Sequence, residues 1–252
     1  MKAGAELAGK VALVTGGARN IGRAIARALA AGGAAVMVNA KTSRAQAEQT
    51  VAMIESNGGR GSMHIADITE AQAVAAMVEA TLKQFGRLDF LVNNAAVRFE
   101  TPFAEITLEE WRRVLSIVLD GAFLCTQASL PHLIRAGGGA VVNIGGQTAH
   151  KGATDRAHVI AAKAGLAGLT KALALDLAPH HITVNCVVPG TIESVRGLPG
   201  VPERPDHRRS VPPIGRRGEP GEIAAMVRML CGPDARYITG QSIHVNGGGY
   251  MP

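Results

Sequence analysis

The chain has 252 residues, of which 47% are hydrophobic and 18% charged, enough apolar material for a sizeable core and too much for a disordered chain. Its 26 Lys and Arg against 20 Asp and Glu give a net charge of +6. The only tyrosines are Tyr237 and Tyr250, so a mechanism that needs a tyrosine in the middle of the chain is excluded.

In chain order, Lys10–Thr15 is a buried-strand pattern followed by glycines and a helix-period run over Ile21–Ala31. Ala35–Asn39 is the next strand, and Ser43–Ser56 a helix with a polar face. Ser62–Ala66 and Leu88–Asn93 repeat the scheme around a helical Gln72–Phe85. Ala140–Ile144 and Thr183–Val188 are further strands, with long helices expected over Leu108–Ala136, broken near Asp120–Gly121, and over Ala157–Ala178. A last helix over Pro220–Leu230 precedes a strand at Ser242–Val245. Strands alternating with helices of this length predict right-handed βαβ units, and hence an α/β, doubly wound (Rossmann) parallel sheet with helices on both faces in three layers. No linker, repeat or low-complexity tract divides residues 1–252, which read as one domain, with a long loop over Glu193–Gly218.

No apolar run approaches the ~20 residues of a membrane span. The opening stretch, with Glu6 and Lys10 beside a short apolar run that enters a glycine-rich turn, is poor material for a signal peptide. Cys125, Cys186 and Cys231 lie far apart with no CxxC, which fits a reducing cytoplasm. Six arginines fall between Arg196 and Arg217 against Glu203 and Asp206. No aromatics interleave with them, so neither nucleic acid nor membrane is expected as a partner; a basic loop that closes over an anionic substrate or meets an acidic carrier protein, and a merely solvated loop, are the readings left open. No HExxH or carboxylate–histidine spacing points to a metal.

The first strand runs into Thr15-Gly16-Gly17-Ala18-Arg19-Asn20-Ile21-Gly22. Glycines at a strand-to-helix turn let backbone amides cradle a pyrophosphate, although a plain βα turn can look the same. Further along stand Asp67-Ile68 after the third strand, Asn93-Asn94-Ala95-Ala96 after the fourth, Pro189-Gly190-Thr191-Ile192 after the sixth, and Asn246-Gly247-Gly248 near the end. In these motifs, their order and their spacing the sequence resembles the short-chain dehydrogenase/reductase family over nearly its whole length, and within it single-domain members such as 3-oxoacyl-carrier-protein reductases. The resemblance implies a cofactor held by Gly16, Ala18, Arg19, Asn20, Ile21 and Gly22, by Asp67 and Ile68, by Asn94, Ala95 and Ala96, and by Ile144, Lys163, Pro189, Gly190 and Ile192. Two departures stand out. Asn20 occupies the position of the usual second loop glycine, which Asn tolerates because it adopts left-handed backbone, and Ala96 replaces the last glycine of the NNAG turn.

NAD-selecting Rossmann proteins place an acid after the second strand to bond the ribose 2′-hydroxyl. Here that position reads Ala40, followed by Lys41, Thr42 and Ser43, with Arg19 in the adjacent loop. Cations and hydroxyls favour a 2′-phosphate, so NADP(H) is expected ahead of NAD(H), unless Arg19 and Lys41 are solvated surface residues.

In the family a tyrosine serves as acid/base four residues before a lysine, a serine bonds the substrate oxygen, and an asparagine carries a water relay. Lys163 matches the lysine, but the other three positions hold Val159, Gly146 and Val118. Losing a general acid costs about 10²–10⁴ in rate, so a poor reductase by the usual route is expected. His158 adjoins the lost tyrosine and could stand in, although on a helix it points about 100° away from Val159. Arg98 and Gln147 are candidates for contacting substrate, together with Arg196, Arg208 and Arg209 of the long loop. Three functions remain open: an NADP(H)-dependent oxidoreductase with an atypical acid, a cofactor-binding pseudoenzyme or partner subunit, and a non-redox isomerase or lyase. The family resemblance also implies a homo-oligomer, tetramer or dimer, joined through the long helices. A neighbour's C-terminus bringing Tyr250 to the pocket is one such arrangement.

Overall fold

Runs of valine, alanine and isoleucine that are apolar on both faces suit strands covered by helices on each side. In the computed structural model, which describes residues 4–193 and 211–252, seven strands form one parallel sheet, apolar and buried through its middle and more polar at the edge strands. They are β1 (Val11–Val14), β2 (Ala35–Ala40), β3 (Arg60–Ile65), β4 (Phe90–Asn93), β5 (Gly139–Ile144), β6 (Ile182–Pro189) and β7 (Ser242–Val245), in the spatial order β3-β2-β1-β4-β5-β6-β7. The order reverses between β1 and β4, and a crevice opens beyond the carboxyl ends of strands at such a reversal.

The helices are α1 (Asn20–Ala31), α2 (Arg44–Glu55), α3 (Ala71–Phe85), α4 (Leu108–Leu115), α5 (Gly121–Arg135), the short α6 (Thr148–Lys151), α7 (Ala157–Leu177) and α8 (Pro220–Cys231). Strand alternation splits the core in two. Ala12, Val14, Val36 and Val38 pack with Ile25 and Leu29 of α1, Ile54 of α2 and Val227 of α8. Leu13 and Met37 pack on the opposite face with Met77 of α3, Cys125 of α5 and Leu177 of α7. The three-layer doubly wound architecture read from the sequence is the one observed.

The helix expected to break near Asp120–Gly121 does not break. A π-helical turn over Ser116–Asp120 joins α4 to α5, with Gly121 in ordinary helical geometry. Helices Leu108–Arg135 and Ala157–His180 are also long and apolar enough, by length and composition, to cross a membrane, contrary to the expectation that no segment approaches this. Their apolarity has a local use, since Cys125 and Leu133 of the first and Ala174 and Leu177 of the second are buried against the sheet.

A buried polar chain fixes the elements that carry the site. Asn93 Nδ2 donates to Asn143 Oδ1 at 2.9 Å and to Thr126 Oγ1 at 3.2 Å, and Asn143 Nδ2 donates to Thr170 Oγ1 at 2.9 Å. These bonds tie β4 and β5 to α5 and α7. Polar groups paired in a low-dielectric interior specify one relative placement of their elements.

Candidate functional site

A groove crosses the carboxyl ends of the strands at the β1/β4 reversal. It has two contiguous parts, of about 480 and 440 Å³, that share Arg19, Asn20, Ile21, Asn94, Ala96 and Val97.

The first part is walled by the glycine loop. Gly16 has φ +60° and Asn20 φ +49°, so Asn20 takes the left-handed conformation expected of it. A side chain at Gly22 is impossible without rearrangement, because its Cβ would lie 2.2 Å from the Gly16 carbonyl oxygen. The close approach leaves the first amides of α1 facing the groove, where a helix start has donors without intrahelical partners. Thr15 buttresses the loop: its hydroxyl donates to Val92 O and accepts from the Asn94 and Ala95 amides, at 3.0 and 3.1 Å. Asn94 Nδ2 donates to Thr15 O and Gly16 O at 2.9 and 3.0 Å, so its side chain is a brace of the loop as well as a wall of the groove. Asn39, a residue absent from the expected site, is buried, accepts from the Gly16 amide at 3.3 Å and donates to Ala66 O at 3.1 Å. Its place at the end of β2, beside the turn, is the signal that could have found it.

The expected residues Gly16, Ala18, Arg19, Asn20, Ile21, Gly22, Ala40, Lys41, Thr42, Asp67, Ile68, Asn94, Ala95 and Ala96 all line this part. Lys41 is ion-paired with Asp67 across the groove mouth. Burial of Asp67 disfavours its charge, but hydrogen bonds from Lys41 and from the amide and hydroxyl of Thr69 outweigh that and hold its pKa below the ordinary value. Arg19 is exposed on the rim and makes no ion pair among the described residues.

The second part is lined by Ile144, Gly145, Gly146, Gln147, Val159, Lys163, Pro189, Gly190, Thr191 and Ile192, with Arg98 and Arg156 at its edge. Thr191 and Arg156 are additions to the expected set. Lys163 is buried and its Nζ donates to Ile144 O. Burial pushes its pKa down to about 8, with Cys186 beneath the site acting the other way. A Cβ at Gly146 would meet nothing within 4 Å, so the floor is open at that point. Gln147 is 8% exposed, and its Oε1 is buried without a hydrogen-bond partner.

Some expectations are corrected. His158 does not reach the groove: it is fully buried beside Phe99, with ring centroids 6.2 Å apart, and its Nε2 lies 2.9 Å from Glu110 Oε1. That contact has ion-pair distance without hydrogen-bond geometry at the ring nitrogen, while Glu110 Oε1 accepts from the Thr101 hydroxyl at 2.6 Å. The cause is the helical step of about 100° that turns residue 158 away when 159 faces the groove. Val118 also misses the groove. It packs with Val114, Ala122, Ala162 and Leu166, and Ile117 lines the cavity in its stead. Tyr250 packs on His150 and His244 of its own chain, with centroids 5.8 and 5.1 Å away. Arg196, Arg208 and Arg209 lie outside the described residues. Within the described end of the long loop, Arg216 bonds Glu222 and Arg217 bonds Glu193. No group of three or more His, Cys, Asp or Glu side chains with metal-ligand geometry occurs among the described residues.

The family described as "Enoyl-(Acyl carrier protein) reductase" matches residues 16–250. A 3-oxoacyl-[acyl-carrier-protein] reductase of Staphylococcus aureus strain Mu50 is 40% identical over 242 residues, 96% of this chain and 98% of that protein. One from Synechocystis is 38% identical over 251 residues, 97% of this chain and 98% of that protein. Among solved structures, a dehydrogenase/reductase from Sinorhizobium meliloti 1021 superimposes with a TM-score of 0.92 at 36% identity, covering 98% of both chains.

Proposed function

The chain belongs to the short-chain dehydrogenase/reductase family of oxidoreductases, and from that premise we propose that it is an NADP(H)-dependent enzyme acting at a carbonyl or alcohol carbon, with Lys163 handling the proton. The observation that carries this reading is the continuity of the groove from the Gly16–Gly22 turn to the Lys163 side chain. The residues present suit a dinucleotide. Gly22 and Gly16 clear the backbone for a pyrophosphate, and no carboxylate stands directly after β2, where Ala40, Lys41, Thr42 and Ser43 follow one another. The exposed guanidinium of Arg19 suits a 2′-phosphate, and Lys41 contributes less because Asp67 already neutralises it. When bound, the nicotinamide supplies a hydride to the substrate carbon. Lys163 Nζ then gives a proton to the oxygen in reduction and takes it back in oxidation. Its lowered pKa lets it do either near neutrality. Val159 and Gly146 add no acid to the floor, so an atypical, slow site is the expectation.

At the groove's edge Arg98 and Arg156 meet at Glu100 Oε1 at 2.8 and 2.5 Å, so two guanidinium groups share one carboxylate and leave at most a small positive excess toward a negatively charged substrate. The exposed Leu108, Phe123 and Leu175 on α4, α5 and α7 favour a homo-oligomer joined through these helices.

The test is transfer of deuterium from 4-deuterated NADPH to a panel of carbonyl compounds, charged and neutral, by the protein and by Lys163→Met. Stereospecific transfer that Lys163→Met loses supports the reading. Saturable NADPH binding with no transfer to any carbonyl would replace it with a binding protein that does no chemistry. Product formed without net cofactor consumption would replace it with a non-redox enzyme.

A further inference from the structure

The floor of the groove beside Lys163 holds a polar side chain, Gln147, whose oxygen is without a partner. Gln147 follows Gly146 at the end of β5, and its backbone is locked in place. Its amide donates to Pro189 O at 3.1 Å, and its carbonyl accepts from the His150 and Lys151 amides, both at 3.1 Å. Gly249 of the C-terminal segment passes so close that a Cβ there would lie 2.8 Å from Gln147 Oε1. That segment is anchored in turn, by Lys151 Nζ donating to Gly249 O at 3.3 Å and Asn246 Nδ2 donating to Tyr250 O at 2.7 Å.

The oxygen end of the carboxamide is therefore turned into the protein, sealed from solvent and without a donor. The amide nitrogen is the end left to face the groove that Gln147 lines. Directly beside it, Gly146 leaves open space. An orphaned buried carbonyl oxygen is a destabilising feature that native structures rarely keep, and those that remain cluster where a group is pre-oriented for function. Here the sealed oxygen fixes the direction of the N–H donors.

We propose that Gln147 is the oxygen-binding residue of the site: its Nε2–H donates to the substrate carbonyl oxygen and to the negative charge that grows on it, next to the Lys163 proton. This deepens, and rests on, the hydride-transfer reading above. It assigns the floor a fixed donor for an oxyanion and limits the substrate at that point to an oxygen acceptor. A donor pre-aimed at developing charge contributes about 10²–10³ in kcat.

The experiment compares the wild-type protein with Gln147→Leu and Gln147→Glu in NADPH oxidation against the carbonyl panel, in NADPH affinity, and in thermal denaturation. For both variants kcat is expected to fall about a hundredfold, with KM changed far less and NADPH affinity unchanged. Gln147→Leu is expected to melt at a higher temperature than wild type, because it removes the unpaired oxygen. A merely structural glutamine would give the reverse, a lower melting temperature with kcat retained in the folded fraction. Wild-type turnover with kcat unchanged in Gln147→Leu overturns the assignment of Gln147 alone. No turnover by the wild type overturns it together with the hydride-transfer reading.

Discussion

The two ends of the groove are built differently. At the glycine-loop end the polar side chains behind the turn are already bonded to the protein: Thr15 to three backbone groups, Asn94 to two carbonyls, Asn39 to the Gly16 amide, and Asp67 to Lys41 and Thr69. What is left to face a ligand there is backbone and the exposed rim side chains of Arg19 and Thr42. At the other end Lys163 has one backbone carbonyl, Gln147 Oε1 has nothing, and Val159 and Gly146 offer no polar side-chain atom, while Arg98 and Arg156 at the edge pair with Glu100. A binding end made of stitched backbone resists change, because altering one residue disturbs several bonds. A reacting end made of separate side chains on rigid strands and helices can exchange them with little effect on the fold.

That contrast can be broken most strongly by rebuilding the reacting end. Val159→Tyr with Gly146→Ser puts a phenol four residues before Lys163 and a hydroxyl into space that is open at Gly146. With protein folding intact, kcat for carbonyl reduction is expected to rise about 10²–10⁴. An unchanged rate would mean that proton supply does not limit this site. At the binding end the expected effect is loss. Gly22→Ala drives a Cβ against Gly16 O at 2.2 Å and Asn94 Nδ2 at 2.6 Å. It should destabilise the protein by about 1–3 kcal/mol, read in denaturant titration, and weaken NADPH binding more than tenfold. Smaller effects sharpen the comparison. Arg19→Glu should weaken NADPH about tenfold and leave NADH nearly unchanged, while Lys41→Ala should do less because Lys41 is spent on Asp67.

The pH response is the gentlest probe. With Lys163 as the acid, the reduction rate should hold below about pH 8 and fall above it, following the pKa of about 8. The unfolded chain keeps that lysine protonated up to its ordinary 10.5, so between about 8 and 10.5 it binds more protons than the native state and stability gains with rising pH. Lys163→Met should flatten that gain, which denaturant midpoints across this range would report.

Much of this was legible from residues alone. The strand runs and the helix over residues 157–178 follow from uninterrupted apolar stretches and helical periodicity, and their observed limits differ by a residue or two. The glycine turn, Asp67 and the 189–192 segment could be placed on one groove because strand ends share one edge of a parallel sheet. What could not be read depends on rotation and on contacts distant in sequence. The π turn at Ser116–Asp120 keeps a helical composition, so the sequence suggested a break where the backbone only widens, and Val118 turned inward. His158 lies next to the right residue and faces the wrong way. The Asn93–Asn143–Thr170 chain joins residues 27 to 50 positions apart, beyond any local pattern.

The most direct measurement of the central claim is a calorimetric titration of the protein with NADPH and then with NADH. Saturable binding of one NADPH per chain, with NADH weaker by tenfold or more, is the expected result for a groove that runs from the glycine turn past Arg19 to Lys163. Binding of neither dinucleotide would contradict it, and with it every hydride-transfer role assigned to this groove.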